Sequence, residues 1–226
     1  MTSVQFDLTG TLLSIVVGYL VGGIPFALIV GKLFYHCDPR EHGSGNLGAT
    51  NVLRVLGIRA GVAVFALDVA KGAAAVLATS LFVRPGMSSN ARDLMMIAAA
   101  LAAMLGHSYS PYIHFKGGKG VAVAAGALIV ITPLACAVLF GSFLLVVALT
   151  RIVSLTSVLI ACEYPVLCLL YYRDRPVIVA FAFFAAALVV WRHRANIGRI
   201  RRGEEAKIQL RRGGLRAESN DRGEGS

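Results

Sequence analysis

Residues Gly117–Thr150 form a run of 34 residues whose one charged side chain is Lys119. So long an apolar run belongs to a lipid bilayer rather than to a globular core. As a single helix it would be about 51 Å long at about 1.5 Å per residue, well beyond a hydrocarbon core of about 30 Å. Pro133, near its middle, offers the way out. Proline lacks a backbone N–H and disfavours helix at the preceding residue, so Thr132-Pro133 marks a tight reversal between two short helices. Five further apolar runs can each supply a span: Thr11–Phe34, Ala60–Val83, Leu94–Ile113, Ile152–Tyr172 and Pro176–Trp191. With 57% hydrophobic residues and a mean hydropathy of +0.71, against about 45–50% apolar for soluble domains, the chain reads as an all-α, polytopic membrane protein. Met1–Gly10 lacks the cationic stretch of a signal peptide and carries Asp7, so the first run is expected to be a retained span.

The net charge of +10 is unevenly placed. Ten Lys or Arg lie from Arg192 onward, against five Asp or Glu. With six spans, the polar segments after the first and last spans would face opposite sides. With seven, every polar glycine-rich segment shares a side with the basic tail, and only Arg84, Arg92, Arg173 and Arg175 lie opposite. Positive charge is retained on the cytoplasmic side, so seven spans are expected, with the N-terminus outside and the C-terminus cytoplasmic. The basic end is a topology signal, and beyond about Gly203 the tail is polar and expected to be disordered. Nothing pairs the charge with a folded aromatic and basic module, so no nucleic-acid partner is expected. Cys37, Cys136, Cys162 and Cys168 are scattered, without metal spacing, and are expected to be reduced, buried space-fillers.

Within the spans, Gly18-Tyr19-Leu20-Val21-Gly22 and the alanine-rich Ile97–Met104 have the spacing of close helix-packing faces. Asp68 and Lys71 lie three apart on the second span and can pair, either as a structural unit or as a wall of a site. Glu163 in the sixth span is open in the same way. For His107, near the end of the third span, a structural role is expected.

Three polar islands carry the chemistry. The first, Gly43-Ser44-Gly45-Asn46-Leu47-Gly48-Ala49-Thr50-Asn51 and on to Arg54, sets small residues among neutral donors and one forked guanidinium. The second, Lys116-Gly117-Gly118-Lys119-Gly120, is not a Walker A loop. Ile113 stands where that loop needs Gly, and Gly120 where it needs Ser or Thr. A glycine nest with two lysines remains, suited to an anion without a metal. The third, Arg192-His193-Arg194-Ala195-Asn196-Ile197, puts His193 and Asn196 three apart, on one face if the helix continues. His193 can donate to phosphate or move a proton. Small residues, donors and cations on one side of a membrane are the chemistry of holding phosphate.

Together the three islands resemble the cytoplasmic motifs of the bacterial acyl-phosphate:glycerol-3-phosphate acyltransferases, the PlsY type. The residues are Ser-Gly-Asn-x-Gly-Ala-Thr-Asn-x-x-Arg from Ser44, Gly-Gly-Lys-Gly-Val-Ala from Gly117, and His-Arg-x-Asn-Ile-x-Arg-Ile-x-x-Gly-x-Glu from His193. The similarity spans roughly residues 10–205 in the same order. It implies a seven-span inner-membrane enzyme with its site on the cytoplasmic face. It also implies acyl transfer from acyl-phosphate to the C1 hydroxyl of glycerol 3-phosphate, releasing lysophosphatidate and phosphate as the first acylation of phospholipid synthesis. No metal and no cofactor are implied, and the chain is expected to work as a monomer in membrane lipid. Carried over, the catalytic set is Ser44, Arg54, Lys119, His193 and Asn196. Gly45, Asn46, Thr50, Asn51, Lys116, Gly118 and Gly120 are the substrate-binding set.

Residues 1–203 are then the acyltransferase domain and 204–226 the basic tail. The chain departs from the resemblance after Gly106-His107: Pro111 is displaced by one position, and His114 stands where the family has Gly. That puts a differently shaped entry before the second island. An organophosphate transporter would want several mid-membrane ionisable groups or internal repeats, and only Asp68, Lys71 and Glu163 stand there. A lipid-binding assembly factor would have no need for Ser, Arg, Lys, His and Asn on one face.

Overall fold

A computed structural model describes residues 7–207, and every regular element among them is helical. Helix α1 (Leu8–Gly23) starts where the Asp7 side chain accepts the Gly10 N–H at 3.1 Å. It breaks at Ile24-Pro25, and α2 (Phe26–Tyr35) continues the same apolar run. Helix α3 (Ala49–Leu56) buries Asn51, Val52, Val55 and Leu56 on one side and lies against α4 (Ile58–Leu77). Helix α5 (Ser89–Ser108) is capped by Ser88, whose hydroxyl accepts the Ala91 N–H at 3.3 Å. The remainder comprises α6 (Val121–Ile131), α7 (Pro133–Thr150), α8 (Val153–Tyr171), α9 (Pro176–Arg192) and α10 (Arg194–Arg201). The expected break at Thr132-Pro133 is present, with Pro133 as the first residue of α7.

Five segments are long and apolar enough to cross a membrane: Leu8–Tyr35, Ile58–Leu81, Ser89–Ile113, Pro133–Thr150 and Val153–Tyr171. Helices α9 and α10 make a sixth if their 59° bend is counted within one span, and α6 is apolar but only 11 residues long. That bend corrects one expectation. His193 and Asn196 share no continuous helix, because the chain turns at His193 between α9 and α10.

Helices in lipid gain little from hiding apolar surface, so they associate where small residues let backbones touch. Two such seams organise this fold. Along α1 and α5, a Cβ on Gly18, Gly22 or Gly106 would come within 3.0 Å of the carbonyl oxygens of Ala99, Ala103 and Tyr19, respectively. Along α4 and α6, Gly72 meets the Val123 carbonyl and Gly126 the Val69 carbonyl just as closely. The small-residue faces at Gly18/Gly22 and Ile97–Met104 thus pack against each other. Asp93, at the start of α5, is buried and paired with Arg175 just before α9, whose Nε lies 3.0 Å from Oδ2. The cysteines divide: Cys136 and Cys168 are buried, Cys37 is partly so and Cys162 is exposed, which corrects the expectation that all four fill space. Glu163 accepts a hydrogen bond from Ser142 at 2.9 Å, joining α8 to α7.

Gly22→Ala forces the α1–α5 seam apart, an overpacking cost of about 1–3 kcal/mol. A lower melting temperature in detergent is expected. Gly141→Ala is the control, since a Cβ there meets nothing within 4 Å and should leave the melting temperature unchanged.

Candidate active site

The second and third islands meet directly. The Lys119 ammonium donates to Asn196 Oδ1. This fixes the orientation of the amide, since its Nδ2 then donates to Glu205 Oε1 at 2.7 Å. The same Glu205 oxygen accepts from Ser154 Oγ at 2.7 Å, and Oε2 accepts from Arg199 Nε at 2.7 Å. One buried carboxylate therefore gathers α8, α10 and, through Asn196, the nest. Burial raises the pKa of the Glu205 carboxyl, but hydrogen bonds from Ser154, Asn196 and Arg199 outweigh this and hold it below the usual glutamate value.

The nest sits ahead of α6, with Gly120 in the left-handed region (φ 80°), where glycine carries no Cβ penalty. Gly118 donates its N–H to the His107 carbonyl at 3.1 Å, and its own carbonyl accepts from Arg192 Nη2 at 2.9 Å. Arg192 also donates to the Tyr109 hydroxyl at 3.0 Å and stacks on that ring, 5.2 Å from its centroid. Upstream, His114 and Phe115 both have positive φ, 55° and 57°. The departure at His114 therefore falls where the backbone itself favours glycine. Lys116 is exposed.

The first island is organised by Asn51, which is buried. Its Oδ1 accepts from the Ser44 N–H at 2.8 Å and from Ser44 Oγ at 3.1 Å, and its Nδ2 donates to the carbonyls of Pro39 and His42 at 2.8 and 3.2 Å. Asn51 is thus a loop anchor, and Ser44 is exposed and held by it. Gly45, at φ 66°, turns the loop, and Asn46 and Thr50 are half-buried beside it. Arg54 reaches away from this loop, and its Nη2 donates to the Ala206 carbonyl at 3.1 Å. No hydrogen bond among the described residues joins Ser44 to the other two islands.

The cations are concentrated around Lys119. Partial burial lowers its ammonium pKa, Glu205 pulls it back up, and Arg199, Arg54 and Arg192 lower it further, leaving it at about 8. An ammonium whose pKa is lowered by burial first and by neighbouring cations second is poised to take up an anion. His193 is buried, and its Nδ1 lies 2.8 Å from the Val189 carbonyl. A carbonyl can only accept, so Nδ1 carries the proton and Nε2 of the neutral ring is an acceptor.

Beside the nest, an apolar cavity of about 500 Å³ opens among α4, α6, α7, α8 and α9. Its lining includes Val121, two residues past Lys119, and Val189, whose carbonyl holds His193. Phe140, Phe143, Tyr164 and Phe181 also line it.

The sequence places Arg192 in the third island without a role of its own, and it leaves Glu205 and Arg199 out of the site set. Glu205 is legible as the last residue of the third motif, although it lies two residues past the Gly203 boundary. The arginines read as part of a basic topology signal, and only the fold shows what they grip.

Residues 12–203 match the family model described as glycerol-3-phosphate acyltransferase. A glycerol-3-phosphate acyltransferase 2 of Moorella thermoacetica is 43% identical over 197 residues, 87% of this chain and 97% of the relative. A glycerol-3-phosphate acyltransferase of Bacillus cereus is 44% identical over 200 residues, 88% and 96% of the two chains. Among solved structures, PlsY (YgiH), an integral membrane glycerol 3-phosphate acyltransferase, is 34% identical, covering 88% of this chain and 96% of its own. TM-scores are 0.77 for its glycerol 3-phosphate form and 0.75 for its lysophosphatidic acid form.

Glu205→Ala leaves Ser154, Asn196 and Arg199 without their shared acceptor. Each hydrogen bond to a charged group is worth about 1.5–3 kcal/mol, so this variant should melt well below wild type. Glu205→Gln, which keeps the shape and one acceptor, should fall between them.

Proposed function

The chain belongs to the glycerol-3-phosphate acyltransferase family, and from that premise we propose that its donor is a fatty acyl-phosphate. The acceptor is glycerol 3-phosphate and the products are 1-acyl-glycerol 3-phosphate and inorganic phosphate. The observation that carries this reading is the Lys119–Asn196 junction, a cation fixed at a glycine nest beside the apolar cavity. A phosphate held at the nest would have this apolar cavity beside it to take its acyl chain out of water. Its volume of about 500 Å³ is within the range of small-ligand sites, about 300–1,000 Å³.

In the reaction, the C1 hydroxyl oxygen attacks the acyl carbonyl carbon. The carbon–oxygen bond to phosphate breaks as the ester forms, and phosphate leaves with the electron pair. The hydroxyl proton is accepted at Nε2 of His193, the ring atom left free by the Val189 contact. Lys119 and Arg54 stabilise the charge developing on the carbonyl and phosphate oxygens. Asn196 orients Lys119, and Ser44, placed by Asn51, donates to a phosphate of one substrate. Gly120 gives the backbone room to approach and Gly118, held by His107 and Arg192, places Lys119, with Gly45, Asn46, Thr50 and Lys116 at the margin. Two phosphorylated substrates repel each other, and the clustered cations offset that repulsion.

Seven spans, with the N-terminus outside and the site on the cytoplasmic face of the inner membrane, fit this reading. The Lys119–Asn196 contact supports the parity, because an even number of crossings must separate them. Helices α6 to α9 supply four if the short α6 and the bent α9 both cross. The acyltransferase body then runs past Gly203 at least to Glu205, and the protein acts as a monomer.

Purified protein offered glycerol 3-phosphate with acyl-phosphate should form lysophosphatidate and phosphate. Product from acyl-CoA in its place would overturn the donor assignment. A second measurement concerns charge. Lys119 is cationic below about 8 and loses its proton above it, so kcat/KM should fall as pH rises through that value. In Lys119→Arg, whose guanidinium stays charged, any residual activity should lose this alkaline limb; the same limb in that variant would remove Lys119 from the role.

A further inference from the structure

Lys71 lies on α4, level with the ends of α1 and α5, and is buried together with Asp68 and His107. Its ammonium has three neighbours. It donates to the Ile24 carbonyl at 2.7 Å, stands 2.8 Å from Asp68 Oδ1 and meets His107 Nδ1 at 3.0 Å. The Asp68 contact is an ion pair off the line of a hydrogen bond, so Oδ1 has no hydrogen-bond donor among the described residues. An ammonium has three N–H groups and no acceptor capacity. Nδ1 of His107 must therefore accept, and the ring proton is on Nε2.

That edge of the ring faces Gly118. A Cβ on Gly118 would fall within 3.0 Å of both His107 Nε2 and Cε1, closer than real side-chain contacts come. Gly118 has no positive φ, so its lack of a side chain answers to the imidazole and not to the backbone angle. The residue is then held from three directions: its N–H by the His107 carbonyl, its Cα by the His107 ring and its carbonyl by Arg192. Lys119 is the next residue in the chain.

We propose that Asp68, Lys71 and His107 are positioning residues for the nest: the ion pair locks the ring of His107, and the ring sets the height of Gly118 and hence where Lys119 reaches. The inference rests on the reading of the nest as the phosphate-holding part of the acyltransferase site. It gives Asp68 and Lys71 a task within the site, exerted through His107.

The test is a compensating pair. Gly118→Ala should lower kcat/KM by about thirtyfold, in the range of couplings between touching residues, because the methyl meets a ring that cannot move. In a His107→Ala background the same change should cost less than about threefold, since the wall is gone. An equal penalty in both backgrounds would overturn the proposal. Histidine ¹⁵N spectra of the wild type give a reading that needs neither turnover nor a folded variant. The Nε2–H tautomer is expected at His107, and an Nδ1–H tautomer would overturn the lock. If wild type shows no acyl transfer, the acyltransferase reading of the site fails by itself, while the spectrum still judges the network.

Discussion

The close approach of backbones at two glycine seams is the constraint on which the rest of this protein depends. Inside a bilayer, apolar side chains gain almost nothing by leaving lipid for protein, so association rests on contact at short range. Gly18, Gly22 and Gly106 provide it between α1 and α5, and Gly72 and Gly126 between α4 and α6. The second seam matters most for chemistry. Helix α6 begins immediately after the nest, so the height of α6 on α4 fixes the height of Lys119. The first seam brings the end of α1 to the end of α5, where Lys71 meets both the Ile24 carbonyl and His107.

On this frame the site solves an electrostatic problem with few parts. Arg54, Arg192 and Arg199 all bear on Lys119, and such a cluster would push its members apart if left bare. Glu205 offsets part of that repulsion from below, where it also fixes the Asn196 amide. A cluster of like charges kept together by a single carboxylate retains an unmet demand for anion, as an enzyme binding phosphorylated substrates requires. The apolar cavity beginning at Val121 and Val189 gives the same site an oily side.

Local patterns carried much of this into the sequence. Apolar runs of about twenty residues mark spans because a bilayer has a fixed thickness, and Pro133 breaks its run because a missing N–H is a local fact. Gly and Ala at regular spacing announced both partners of the α1–α5 seam. Ser44, Asn51, Lys119, His193 and Asn196 stood out because polar residues in an oily chain are conspicuous. Their division of labour was less visible. Asn51 shows as a loop anchor only when the carbonyls of Pro39 and His42 come to it, contacts made by folding across 12 and 9 residues.

The sequence by itself determined that the chain is helical, lives in a membrane and carries three polar, glycine-rich islands, because hydropathy, helix length and glycine spacing are properties of neighbours along the chain. It also showed the resemblance that family membership bears out. Only the tertiary structure decided that Lys119 bonds to Asn196 77 residues away, that the chain bends by 59° after α9, and that Glu205 is buried against Asn196 and Ser154. Those outcomes depend on which helix faces touch, and that is set by packing between segments remote in sequence. A buried carboxylate and a solvated one look identical until the fold decides which of them water can reach.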